Sequence, residues 1–260
     1  MTTSFLLLTL VEWLGVGATT FILGLSPAFR RRPVKFVYPR RETIVSLSLF
    51  LLTTTLVFAF DLFVYPQGNA PRVPAPYPVE PIPLNYPAER LIQQLGLLLI
   101  ISAPYVVALV IRRQPWLSAG LSRASMRAGL SMGLALAFLT IFLTNHTSTV
   151  FGGLTGSSVN YLLAMLAVGL VEETIFRGYT MLRLMDYLGE TWGWILQAVL
   201  YALWHLPQKL VIEHASPTLL AFSLVYLFLF GLLLGWIMRK CGNVLGPGLY
   251  HAIHNWVLVL

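Results

Sequence analysis

The chain has 260 residues, of which 57% are hydrophobic and only 10% are charged, and its formal net charge at pH 7 is +7. Soluble domains average about 25% charged residues, so this composition excludes an ordinary soluble protein and indicates a polytopic membrane protein. The single cysteine, Cys241, excludes an intramolecular disulfide and a cysteine-rich metal site. We interpret the positive charge as a topological signal rather than a nucleic-acid site, because cytoplasmic loops of membrane proteins collect Lys and Arg.

Eight apolar segments approach or exceed the length of about 20 residues that a membrane-spanning helix requires. The sequence therefore predicts an all-α fold, a polytopic transmembrane bundle of about eight helices. The first segment lacks the basic region that begins a signal peptide, so we interpret it as a retained helix. The predicted spans are 5–25, 43–64, 91–111, 128–144, 158–176, 192–206, 218–238 and 244–260.

Basic residues concentrate in alternate loops of this predicted topology. By the positive-inside rule those loops are cytoplasmic, and both chain termini lie on the outer side. Three basic residues fall on the opposite side, namely Arg72, Arg90 and Lys209. The loops predicted to be cytoplasmic contain Arg30, Arg31, Arg32, Lys35, Arg40, Arg41, Arg112, Arg113, Arg123, Arg127, Arg177, Arg183, Arg239 and Lys240.

A proline-rich outer loop follows the second predicted helix. Segment 65–87 contains eight prolines, which predicts an extended excursion rather than a helix. It divides the chain into an N-terminal part, 1–90, with a two-helix hairpin and this loop, and a membrane-embedded core, 91–260. The candidate motifs all lie within 158–260.

The first two helices each contain one acidic residue, Glu12 and Asp61. Intramembrane carboxylates are costly and often functional. We interpret these two as paired or interfacial rather than as parts of a proton path.

The fifth apolar segment ends in two adjacent carboxylates, Glu172 and Glu173, with Arg177 following. A charge at the centre of a bilayer costs about 2.5–3.5 kcal/mol or more, so this placement indicates a functional site. Glu173 and Arg177 are spaced i,i+4 in the order that favours a helical ion pair. Glu172 lies about 100° away on the helix and is left free of that pair.

The fifth helix is expected to continue to about residue 184 as an amphipathic cytosolic projection and then to turn into the sixth helix. That sixth helix carries His205 just before a proline. On antiparallel neighbours with a rise of about 1.5 Å per residue, Glu172 and His205 then lie at similar depths.

The last helix contributes further polar side chains. His251 and Asn255 are spaced i,i+4 and share a face, whereas His254 is rotated by about 60°. We assign His254 either to the edge of a site or to packing. One buried histidine is more often a core residue than a catalytic one, but glutamate, two histidines and asparagine converging from three helices favour a site.

Two chemistries fit these residues. In the first, Glu172 is a general base that removes a proton from water, His205 holds that water, and His251 and Asn255 stabilise an oxyanion. In the second, Glu172, His205 and His251 ligate zinc and leave a fourth position for water. The spacing differs from the H-E-x-x-H of zincins and does not decide between the two.

The ordered set of motifs resembles the CPBP family of intramembrane endopeptidases, also called Abi, which contains CAAX proteases and bacteriocin-processing enzymes. Its motifs are EExxxR, FxxxH and HxxxN, in this order on successive core helices. The second motif departs from the family in its aromatic residue, which is a tyrosine here. The matching residues are Glu172, Glu173, Arg177, Tyr201, His205, His251 and Asn255.

The resemblance implies a role for each motif residue. Glu172 would be the catalytic base and His205 would position water. Glu173 and Arg177 would support the site, while His251 and Asn255 would stabilise the oxyanion. The family's metal requirement is disputed, so zinc stays an open cofactor.

The resemblance also implies a membrane-associated or lipid-modified, CAAX-like peptide substrate and a location in a lipid bilayer. We favour a bacterial plasma membrane, although an endoplasmic reticulum membrane suits the same topology. Two other classes of function stay open, a non-catalytic membrane scaffold or chaperone with the same fold and a proton-coupled transporter. No internal repeat of the kind many transporters carry is present in the sequence.

Overall fold

The computed structural model describes residues 3–29, 33–63 and 85–260. Most of the proline-rich loop therefore lies outside the described residues, as do Arg30–Arg32 and the side chain of Asp61. Ten α-helices account for most of the described chain: α1 Thr3–Leu23, α2 Pro39–Phe63, α3 Ala88–Ile111, α4 Arg123–Leu143, α5 Thr147–Gly152, α6 Gly156–Glu173, α7 Met181–Leu188, α8 Glu190–Trp204, α9 Pro217–Cys241 and α10 Leu245–Val257.

The all-helical membrane bundle is confirmed, but fewer helices than expected are long enough to cross a bilayer. Within the described ranges, six candidate spans contain α1, α2, α3, α4, the run from α6 to α7, and α9. The predicted spans 192–206 and 244–260 correspond to α8 and α10, which have 15 and 13 residues. They fall short of about 20 residues, so of the roughly eight membrane helices predicted, six in the described ranges are long enough to span a bilayer and two are shorter.

The run from α6 to α7 continues without a break through a π-helical segment, Thr174–Thr180. The predicted continuation of this helix is therefore present, but it packs against other helices of the bundle instead of projecting from it. The residues Met181 to Met185 are buried, because α7 lies between α2 and α8. Glu42 of α2 lies 3.4 Å from the Arg183 guanidinium, which lets this cation be fully buried.

The core forms around the short helix α10, which packs most extensively against α4 and α6. Helix α8 packs against α7 and α9, and α3 packs against α6. Both N-terminal helices reach this core directly, since α1 contacts α4 and α9 while α2 contacts α3 and α7. The division of the chain near residue 90 stays a prediction.

Ionic contacts join helix ends at one end of the bundle. Glu42, in the first turn of α2, binds Arg112 at the end of α3 and Arg183 in α7. Arg239, near the end of α9, lies 3.5 Å from Glu190 at the start of α8. The ends predicted to be cytoplasmic are therefore gathered on the same side.

Candidate active site

Helix α6 ends with the two glutamates, and the π-helical segment that follows contains Arg177. A π-helical turn widens a helix by one residue per turn and is frequent at functional sites. A second π-helical segment, Gln208–Ile212, follows His205 at the end of α8. The helix that carries Glu172 and the helix that carries His205 are therefore both followed by π-helical segments next to these residues.

Glu173 is the centre of the buried cluster. Its Oε1 atom accepts hydrogen bonds from Arg177 Nη1 at 2.7 Å and from His251 Nδ1 at 2.9 Å. Glu173 and Arg177 are completely buried and form the expected i,i+4 ion pair. Charge pairing and hydrogen bonding together compensate for the cost of taking this carboxylate out of water.

Glu172 is in a different situation, although it is adjacent in sequence. Its carboxylate receives no hydrogen bond from any residue that the structure describes, and its Oε2 atom is buried. His251, Glu173 and Arg177 are close enough to interact with it electrostatically. A buried acceptor without a protein partner is unusual, because an unmade hydrogen bond costs about 1–3 kcal/mol. Glu173 also has one buried oxygen without a partner, Oε2, but its Oε1 is engaged twice, so Glu172 is the carboxylate whose two oxygens are both available to water or substrate.

His251 is oriented by its bond to Glu173. Because the partner is a carboxylate, which only accepts, Nδ1 carries the proton of this bond. That leaves Nε2 as the ring nitrogen facing away from Glu173. Its neighbour is the Tyr201 hydroxyl, at 3.4 Å.

Tyr201 contacts three members of the cluster. Its ring lies 4.1 Å from the centre of the Arg177 guanidinium, a cation–π contact. The ring also packs edge-on against the His205 imidazole, with centroids 4.8 Å apart. Sequence reasoning recorded Tyr201 only as a variation in a motif. Its spacing four residues before His205 was the available signal that the two share a face.

His205 lies at the end of α8 and is partly exposed. Its Nδ1 atom donates to the carbonyl oxygen of Tyr201 at 2.9 Å, so Nε2 is its free ring nitrogen. Electrostatic interactions connect it with His251 and Arg177. The structure therefore joins His205 to the cluster through Tyr201 and not through a direct bond to Glu172.

Asn255 follows His251 by one turn on α10 and is partly exposed. Its side-chain amide forms no hydrogen bond with the described part of the protein. The amide can therefore donate to a bound molecule, whereas the Nδ1 atom of His251 is already engaged by Glu173.

The predicted zinc ligands do not form a metal site in this arrangement. Across residues 3–29, 33–63 and 85–260, no three His, Cys, Asp or Glu side chains are grouped so that they could hold a metal ion. Glutamate and histidine are suitable zinc ligands in type, but Glu172, His205 and His251 do not converge on one point here.

The described residues contain two acid–histidine pairs, and only one belongs to this cluster. Glu12 and His254 bind each other, with His254 Nδ1 lying 2.9 Å from Glu12 Oε1. The expectation that Glu12 is paired is therefore confirmed.

Comparison with known proteins identifies the core. Residues 154–257 match the family model described as Rce1-like, type II CAAX prenyl endopeptidase. Over these residues the chain is similar to this family. All the predicted site residues, from Glu172 to Asn255, fall inside the match, and the first 153 residues fall outside it. The family supports protease activity and a membrane-associated peptide substrate for this integral membrane protein.

No curated protein and no solved structure shows a significant match to the chain. The family match and the geometry of the cluster therefore provide the basis for assigning a function.

Proposed function

We propose that this protein is an intramembrane endopeptidase in which Glu172 activates the water that cleaves the peptide bond. The observation that supports this most strongly is the difference between the adjacent glutamates. Oε1 of Glu173 is held by Arg177 and His251, whereas neither carboxylate oxygen of Glu172 has a hydrogen-bond partner among the described residues. A general base must have a free lone pair within reach of the water it deprotonates.

In the first step, Glu172 takes a proton from water while the water oxygen attacks the carbonyl carbon of the scissile peptide bond. The carbonyl π bond opens, and its electron pair becomes an oxyanion. Water bound near the partly exposed His205 is placed by the Nε2 atom, because Nδ1 already donates to Tyr201.

The oxyanion is stabilised by donors on α10. The Asn255 amide is free to donate to it, and the imidazolium form of His251 adds a donor at Nε2. Fixed donors in a site that excludes bulk water stabilise developing charge strongly, since they need no reorganisation during the reaction.

In the last step, Glu172 returns its proton to the peptide nitrogen. The electron pair of the oxyanion re-forms the carbonyl bond, the carbon–nitrogen bond breaks with its electron pair going to the nitrogen, and an amine and a carboxylic acid leave. Glu173 and Arg177 do not exchange protons in this scheme. They hold His251 in place and balance the charge beside Glu172.

This mechanism is written for the side chains of the protein alone, and zinc held by Glu172, His205 and His251 stays the alternative proposal. We propose a membrane-associated or lipid-modified, CAAX-like peptide as the substrate, on the basis of the family match. A bacterial plasma membrane is the proposed location, with the basic end of the bundle in the cytoplasm.

The test compares the peptide termini in membranes that contain wild-type protein or Glu172→Ala at equal abundance. We expect Glu172→Ala to fold. The amount of newly formed peptide termini should be at least ~100-fold lower than with wild type, within the range for removal of a general base. Glu172→Gln, which keeps the side-chain size, should be equally inactive. The matched control is Glu89→Ala, because Glu89 is an exposed acid in the first turn of α3.

Each outcome of this experiment has a defined meaning. Cleavage by purified Glu172→Ala would contradict the assignment of the base. Wild-type cleavage that a strong zinc chelator removes would replace glutamate catalysis with metal catalysis. Identical termini in wild-type and variant membranes would favour a non-catalytic scaffold.

A further inference from the structure

A second buried acid–histidine pair joins α1 to α10. Glu12 and His254 are 2% and 1% exposed. His254 Nδ1 lies 2.9 Å and 3.0 Å from the two carboxylate oxygens of Glu12. The catalytic scheme does not use either residue. A carboxylate buried in a membrane protein is costly enough that its retention needs a reason.

Three hydroxyl groups complete this network. Tyr250 and Thr140 donate to Glu12 Oε1 at 3.1 Å and 3.3 Å. Because His254 gives its Nδ1 proton to Glu12, its Nε2 atom is an acceptor, and the Tyr226 hydroxyl donates to it at 2.7 Å. The network therefore connects α1, α4, α9 and α10, and each of its hydrogen bonds pairs one donor with one acceptor.

The network lies directly beside His251 in sequence and in space. Tyr250 precedes His251, and His254 follows it by about one turn, so Glu12 holds residues on both sides of it. The ring of Phe230 packs against both histidines, with centroid distances of 5.4 Å to His251 and 4.6 Å to His254. Any rotation of α10 that carried His251 away from Glu173 would also strain the bonds to Glu12.

We infer that Glu12 is a positioning residue for the active site. Through Tyr250 and His254 it fixes the rotation of α10, and this directs His251 toward Glu173. The inference rests on the proposed function for its catalytic consequence, but the orientation of His251 can be measured without substrate. It makes α1, which lies outside the family match, a part of the catalytic apparatus.

The test uses two variants of similar side-chain size. Glu12→Met removes every acceptor, and we expect kcat for Glu172-dependent cleavage to fall at least tenfold while KM changes less than twofold. Glu12→Gln keeps one oxygen for His254 and Tyr250, so its kcat should stay within threefold of wild type. Glu89→Met, at the exposed start of α3, is the control for removing an acidic residue.

A second measurement reports the position of His251 directly. In ¹⁵N-histidine-labelled protein, the Nδ1 proton bonded to the Glu173 carboxylate should give a downfield resonance that is absent from His251→Asn. We expect Glu12→Met to shift or broaden this resonance, and Glu12→Gln and Glu89→Met to leave it unchanged.

The two measurements separate the inference from the proposed function. If wild-type protein shows no Glu172-dependent cleavage, the proposed function fails, and the resonance alone decides whether Glu12 positions His251. An unchanged resonance in Glu12→Met would overturn the inference, whether or not kcat falls. A lower unfolding temperature with unchanged kcat and resonance would reduce Glu12 to a structural role.

Discussion

Glu172 and Glu173 show how adjacent identical residues acquire different chemistry. Side chains of consecutive helical residues point about 100° apart, so the partners of one cannot also surround the other. Arg177 and His251 both bind Oε1 of Glu173. This arrangement concentrates the hydrogen-bond donors on one carboxylate and keeps the other available, while Arg177 is close enough to interact electrostatically with both.

Tyr201→Phe should lower kcat by about two- to tenfold without changing KM. The variant removes only the hydroxyl that contacts His251 Nε2 at 3.4 Å, and one such hydrogen bond contributes about 0.5–1.5 kcal/mol. The ring contacts to Arg177 and His205 are retained. Steady-state kinetics of purified protein is the measurement.

The control for this variant is Tyr179→Phe. It removes another buried hydroxyl, on a ring that packs against Arg183 and Tyr105, and kcat should be unchanged. Wild-type kcat in Tyr201→Phe would show that the hydroxyl has no part in orienting His251. Complete inactivity would show that it takes part in the reaction itself.

Among the elements, the contact between α6 and α10 controls the distance between the glutamates and His251. The two backbones approach closely at Gly169, where a Cβ atom would overlap the carbonyl oxygen of Gly248 and lie 3.1 Å from the nitrogen of Ala252. Ala252 follows His251 directly. A small residue at this crossing is typical of membrane helices, whose backbones can then pack closely.

Gly169→Ala should therefore separate α6 from α10 and weaken the bond between His251 and Glu173. We expect a destabilisation of about 1–3 kcal/mol, which is typical of an overpacked core, together with reduced kcat in the protein that stays folded. Thermal unfolding and kinetics on the same sample measure the two effects.

The control lies on the same helix. Gly156 is the first residue of α6, and a Cβ there would have no heavy atom within 4 Å. Gly156→Ala should preserve both stability and kcat. If Gly169→Ala and Gly156→Ala have the same stability and the same kcat, the close approach of the helices at Gly169 is not required for either property.

At the scale of the whole molecule, the charge distribution sets the orientation in the membrane. The ion pairs around Glu42 and between Arg239 and Glu190 gather the basic ends of α2, α3, α7 and α9 on one side. By the positive-inside rule we propose that this side faces the cytoplasm.

Cysteine labelling of intact cells can test this orientation. Trp116 is exposed between α3 and α4 at the basic end, and Phe151 is exposed in α5 at the other end. A membrane-impermeant thiol reagent should label Phe151→Cys and leave Trp116→Cys unlabelled until the cells are permeabilised. Wild type is the control, since Cys241 is buried. The reverse pattern would invert the proposed topology.

Properties that depend on composition and on spacing within one helix could be predicted from the amino-acid sequence. The hydrophobic content predicted the membrane bundle, and the i,i+4 spacing predicted the ion pair between Glu173 and Arg177. The order of the three motifs predicted the family that residues 154–257 match.

Tertiary structure decided every feature that depends on how separate helices are rotated and placed. It assigned His251 to Glu173 and not to Glu172, and it buried Arg183 against Glu42. It also paired Glu12 with His254, 242 residues away. Helical periodicity fixes the angle between side chains on one helix, but the partner of a buried group is set by the packing of neighbouring helices, which no local spacing specifies.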